Sequence, residues 1–163
     1  MIKIVAKRYA KALVELSHEK KLVDKTKADL AAFAEAVAGQ ASLQKLFSSP
    51  AFTPDAKKAV IGELAAKLGL EQTTKRFIEH LAETGRIRYV CEVRDAFEEI
   101  LAERQNRAIA RVTTAAALGA GEIADIKKKL EGVTGKQVEI DAKVDAAVIG
   151  GACAQIGSVV YDG

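Results

Sequence analysis

Apolar residues recur at steps of three and four along the first 105 residues, and at steps of two only beyond them. A helix turns every 3.6 residues and a strand alternates sides at every residue, so this change of period divides the chain. Glycine follows the same division. Residues 1–105 hold four glycines and both prolines, whereas residues 106–163 hold the other eight glycines. The expectation is a mainly α protein: an N-terminal six-helix bundle over 1–105, able to fold alone, and a small α+β domain over 106–163. At 163 residues the chain can bury a core without staples.

The helical part reads as follows. Val5, Tyr9, Leu13 and Leu16 mark one face of a first helix over about 4–20, with Ala6, Ala10 and Ala12 beside it. A second helix over 23–38 carries Leu30, Phe33 and Val37, with Gly39 as its stop, and a short third covers 42–47. The fourth has the clearest start: Thr53 at the N-cap, Pro54 at the first helical position and Asp55 at the positive helix end. Its stripe is Val60, Leu64 and Leu68, closed by Gly69. The fifth, over 72–84, turns Phe77, Ile78 and Leu81 inward and stops at Gly85. The sixth, over 88–105, buries Val90, Phe97, Ile100 and Leu101.

Beyond residue 106 the order is strand, helix, strand, strand, strand. The strands are expected over 108–115, 138–144, 152–156 and 159–161, and the helix over 121–133, with Ile123, Ile126, Leu130 and Val133 inward. Gly157-Ser158 between the last two suits a type II′ hairpin.

Inventory excludes most chemistry. The two histidines, His18 and His80, lie in separate helices and in no zinc pattern, so they read as surface polar residues. Cys91 and Cys153, 62 residues apart, read as small core hydrophobes in a reducing setting. The run from Gly132 to Lys136 lacks P-loop spacing and follows a helix where a P-loop precedes one; it reads as a helix end and turn. No nucleotide or metal is expected on this chain, and no cofactor. A net charge of +3 is too small for a nucleic-acid binder, and Lys127-Lys128-Lys129 reads as a solvated helix face. Lys3, Lys7, Arg8 and Lys11 break up any signal-peptide core, and glycines interrupt the longest uncharged run, 146–161, which argues against membrane insertion.

What remains is helical surface. The small-residue face of the first helix either packs within the bundle or lines a groove for a partner helix, with the fifth helix as its other wall. Gly150-Gly151 after Val148-Ile149 either bends the chain into the hairpin or meets another chain.

These segments carry a resemblance. Ala6-Lys-Arg-Tyr-Ala-Lys-Ala-Leu13 resembles the "RYAxAL" opening helix of the delta subunits of rotary F-type ATP synthases, called oligomycin-sensitivity-conferring proteins in mitochondria. Thr84-Gly-Arg-Ile-Arg-Tyr-Val90 resembles the family's "GRxxxL" stretch. Val144-Asp-Ala-Ala-Val-Ile-Gly-Gly151, with Ile156-Gly157 and Asp162-Gly163, resembles its most specific signature, "vDxxlIGGxxxxiGxxvxDgS". Together with Leu46-Phe-Ser-Ser-Pro50, the likeness spans the whole chain.

The resemblance implies a non-catalytic stator subunit that ties the catalytic head to the peripheral stalk. The bundle would accept the N-terminal helix of an alpha subunit between its first and fifth helices, using Ala6, Ala10, Leu13, Phe77 and Leu81. The second domain would meet the stalk's b subunits around Val148, Ile149, Gly150 and Gly151. The location implied is the cytoplasmic face of the bacterial inner membrane, held there by the complex. Family members usually continue past the Asp-Gly pair with a serine and a leucine-rich amphipathic segment, expected to help engage the stalk. The competing reading is a helical adaptor of another complex with the same fold.

Overall fold

A computed structural model describes residues 2–147, 151–157 and 159–162. The chain forms two compact units, Met1–Ile100 and Leu101–Gly163, and the division falls within the sixth helix. The helices are α1 (Ile2–Glu19), α2 (Val23–Ala38), α3 (Ala41–Ser48), α4 (Pro54–Leu68), α5 (Gln72–Glu83) and α6 (Val90–Arg104), the last preceded by a short 3₁₀ turn over Ile87–Tyr89. Strand β1 (Arg107–Thr114), helix α7 (Ala120–Thr134) and strands β2 (Gln137–Val144), β3 (Ala152–Ile156) and β4 (Val159–Asp162) complete the chain.

In the first unit α2 is the hub and packs against α1, α3, α4 and α5. It buries Leu30, Phe33, Ala34 and Val37, and the Phe33 and Phe47 rings meet at 6.1 Å in a tilted pair. Helix α4 begins as its start signal requires: the Thr53 hydroxyl accepts the Ala56 N–H at 3.2 Å, with Pro54 first in the helix. Its inward face differs from expectation. Lys57, Ile61 and Ala65 are buried, whereas Val60 and Leu64 are half-buried and Leu68 is exposed. Two adjacent apolar stripes run along this helix, so spacing alone leaves its phase open.

Helix α1 ends in a Schellman turn, in which the Leu22 N–H reaches Ser17 O at 2.8 Å and the Lys21 N–H reaches His18 O at 3.1 Å. The residue that must turn left-handed is Lys21, at φ 56°. A side chain strains that position. Lys21→Gly is therefore expected to stabilise the first unit by about 1 kcal/mol, raising its melting temperature by roughly 4–8 °C. A melt with no rise would mean that the left-handed residue carries no strain.

The second unit is a four-stranded sheet in the order β2-β1-β3-β4. β1 and β2 are parallel, Arg107 opposite Gln137 through Thr114 opposite Val144, with α7 as their crossover. β3 runs antiparallel to β1, and β4 antiparallel to β3. Gly157 has the positive φ, 59°, that the first position of a tight hairpin needs, while Ser158 lies outside the described residues. Burial alternates strictly along β1. The core beneath it is Ala108, Ala110, Val112, Leu130, Val138 and Ala154, half of it alanine. Of the α7 residues expected inward, Leu130 is buried, Ile123 and Ile126 are half-buried, and Val133 is 66% exposed. Val133 lies near the C-terminal end of α7, which Gly135 closes in a left-handed cap. Lys127, Lys128 and Lys129 are all exposed.

Candidate site at the seam between the first and fifth helices

Helices α1 and α5 lie side by side and antiparallel. Tyr9, in the first half of α1, meets the end of α5: its hydroxyl donates to Thr84 Oγ1 at 3.4 Å, and its ring lies 6.2 Å from that of His80. At the opposite end, Lys20 Nζ donates to Thr73 Oγ1 at 3.3 Å. Thr73, Phe77, His80 and Thr84 follow at steps of three and four and share one side of α5; Val5, Tyr9, Leu16 and Lys20 share the facing side of α1. Between the polar contacts Leu16 and Phe77 are only half-buried, as are Tyr9 and, one turn beyond it, Val5. The seam is therefore a shallow strip with an apolar middle and polar ends.

One end is organised by Gly85. This residue adopts φ 73°, and the Arg86 N–H reaches back to Leu81 O at 2.8 Å in a second Schellman turn. The turn directs the Arg86 side chain onto α1, where its guanidinium carbon sits 5.8 Å from the centre of the Tyr9 ring and its Nη1 donates to Thr84 O at 3.0 Å. Nearby, Lys58 on α4 pairs with Glu83 on α5. That hydrogen bond holds the Lys58 ammonium above its ordinary range and the Glu83 carboxyl below its own.

Burial sorts the residues proposed from sequence. Ala6, Ala10, Leu13 and Leu81 are at most 1% exposed in the single chain. Ala6, Ala10 and Leu13 lie on α1's buried face, together with Val14 and Ser17. Of the five, Phe77 alone stands at the surface. Reading helix phase without the neighbouring helices could not separate the layer that floors the seam from the layer that lines it. Tyr9 and Arg86 were the residues missed. The signal for Tyr9 was its place four residues after Val5, and for Arg86 its place just after a helix-ending glycine. His80 is exposed as expected, yet it is packed against Tyr9. Of the other proposed contact, Val148, Ile149 and Gly150 lie outside the described residues, while Gly151 is exposed with φ 68°. Cys91 and Cys153 are half-buried rather than core residues. Burial raises the Cys91 thiol's pKa.

Among the described residues no group of acidic, cysteine or histidine side chains could hold a metal ion, and no helix is long and apolar enough to cross a membrane. The family model for the ATP synthase delta (OSCP) subunit matches residues 5–163. The chain is 37% identical over 158 residues to the ATP synthase subunit delta of Trichlorobacter lovleyi, covering 97% of this chain and 88% of that one. It is 36% identical over 159 residues to the subunit delta of Bradyrhizobium diazoefficiens, covering 98% and 86%. In fold it matches a chain of the Toxoplasma gondii mitochondrial ATP synthase hexamer with a TM-score of 0.74 at 22% identity, over 96% of this chain and 88% of that one. A family match that runs through both units, beside a solved chain of like fold, leaves one assignment: the chain belongs to the ATP synthase delta (OSCP) subunit family, a structural rather than a catalytic part of that complex.

Proposed function

We propose that this chain is the stator link of a bacterial F-type ATP synthase, joining the catalytic head to the peripheral stalk so that the head cannot turn with the rotor. The helical part, residues 1–105, takes the N-terminal helix of an alpha subunit, and residues 106–163 meet the b subunits around Val148 to Gly151. Through these partners the chain sits at the cytoplasmic face of the inner membrane. The observation that carries the first contact is the half-buried strip of Val5, Tyr9, Leu16 and Phe77 between two antiparallel helices, since an amphipathic helix buries its apolar face in such a strip. Ala6, Ala10, Leu13 and Leu81 back that strip from beneath. A torque-bearing link needs slow dissociation, which apolar docking supplies, and two attachment points raise the effective concentration of each.

The test is a calorimetric titration of the full chain with a peptide of about the first twenty residues of the cognate alpha subunit. Saturable one-to-one binding is expected. Phe77→Asp, at the surface of the strip, is expected to keep the helical circular-dichroism spectrum and to weaken the peptide roughly 100-fold. A folded Phe77→Asp chain that binds like the parent sinks the seam assignment. No binding by the parent favours the adaptor of another complex.

A further inference from the structure

The two ends of the seam differ in charge. Where α1 begins and α5 finishes, Arg86 lies against Tyr9 and Arg8 is exposed on the neighbouring turn, while Lys3, Lys7 and Lys11 are exposed along the same stretch of α1. No acidic residue occurs in α1 before Glu15. Toward the other end, Glu15 and Glu19 accompany His18 and Lys20. Glu83, the last residue of α5, is engaged by Lys58, with His80 Nδ1 at 3.8 Å.

The internal stability of the chain does not explain this asymmetry. Cations in the first turns of a helix oppose its macrodipole, whose positive end lies there. Among the described residues Lys3, Lys7, Arg8 and Lys11 form no ion pair. Arg86 is held in place by the turn at Gly85, by its bond to Thr84 O and by the Tyr9 ring, and it too has no carboxylate partner among the described residues. A guanidinium has five N–H donors in a planar fork that matches a carboxylate. Here it is half-buried and oriented, with most of that fork unused by the side chains around it.

We propose that this end of the seam is a carboxylate socket. The helix that docks between α1 and α5 carries an acidic side chain, which Arg86 takes in two-pronged geometry, and Arg8 with Lys3, Lys7 and Lys11 draws that end of the helix in. The inference rests on the reading that a partner helix occupies the seam. It adds which chemistry the helix must carry and at which end.

The experiment uses the full chain and the alpha-subunit peptide, together with versions in which each acidic residue is replaced in turn by its amide. Arg86→Gln is expected to weaken binding about tenfold or more. One amide-substituted peptide is expected to lose as much against the parent chain and nothing further against Arg86→Gln. Arg86→Lys, which keeps the charge without the fork, recovers part of the loss. Binding by the parent weakens as salt rises from about 0.05 to 0.5 M, and a Lys7→Gln/Arg8→Gln/Lys11→Gln chain shows a shallower dependence. Two results overturn the socket while leaving helix docking intact: Arg86→Gln binding like the parent, or weakening every amide-substituted peptide equally. Failure of the parent to bind the peptide at all overturns the docking reading and the socket with it. Sedimentation with phosphatidylglycerol vesicles that disappears in the triple variant, with its peptide binding unchanged, overturns the steering role of those cations and assigns them to a lipid surface.

Discussion

A chain carrying Leu13→Asp is expected to lose the fold of its first unit, not merely its partner. Leu13 is 1% exposed on the face of α1 that also buries Ala6, Ala10, Val14 and Ser17. Removing its side chain forfeits about 2–3 kcal/mol of apolar burial. The aspartate that replaces it meets no cation on that face, so it must stay protonated in the core or drag water in, at several kcal/mol more. The sum exceeds about 5 kcal/mol, close to the whole stability of many domains. Far-UV circular dichroism and a thermal melt decide it. A Leu13→Asp chain melting within a few degrees of the parent would show that α1 does not pack on this face. The practical consequence is that lost peptide binding in this variant says nothing about the seam, whereas Phe77→Asp does.

The second large effect belongs to Asp29. Its side chain is 3% exposed on α2, and its two oxygens do different work. One accepts Lys25 Nζ at 2.7 Å, and the other accepts the backbone N–H of Glu71 at 2.8 Å. Lys25 also donates to Gly69 O at 3.0 Å, so the pair clasps both sides of the turn between α4 and α5. Glu71 in turn caps α5 by accepting the Thr73 N–H. Burial pushes the Glu71 carboxyl up, but hydrogen bonds from Thr73 and Gln72 and the charge of Lys20 outweigh it and leave the group below its ordinary range. Asp29→Ala removes the anion from Lys25 and leaves the Glu71 N–H without its acceptor. The expected cost is about 2–4 kcal/mol, or upward of roughly 10 °C in the melting temperature of a unit this size. Asp29→Asn, which can still accept from Glu71, is expected to lose about half as much. Equal losses in the two variants would mean that the Glu71 bond contributes nothing.

These two residues also mark what could be read from sequence. Leu13 was legible as an apolar helix position; that it belongs beneath the seam was not, because phase within one helix does not reveal where the next helix lies. Nothing in the spacing of Lys25 and Asp29, four apart on one helix, shows that a turn 42 residues away closes over the carboxylate. Element types survive such ignorance better. The Thr53-Pro54 start and the bounds of α2 and β3 are set by local signals, and the structure places them where those signals stand, while β4 runs one residue further than expected, to Asp162. Helix α4, apolar on two adjacent stripes, is the case in which local signals specify the element and leave its orientation open. The seam combines both situations. Its walls come from periodicity, whereas Tyr9 and Arg86 come together only once α5 ends at Gly85 and the chain turns back.

The alanine-rich core of the second unit has a mechanical meaning. An alanine methyl offers little area to bury, so each contact in that core adds little to the force needed to part the sheet from α7. The first unit is filled instead with Phe33, Phe97, Leu13, Leu30, Ile61, Ile78 and Leu81. The two units follow one another along one chain, and a pull applied through the chain ends loads both equally. The unit with the shallower energy well then takes most of the strain. Under such a load residues 101–163 would extend before residues 1–100.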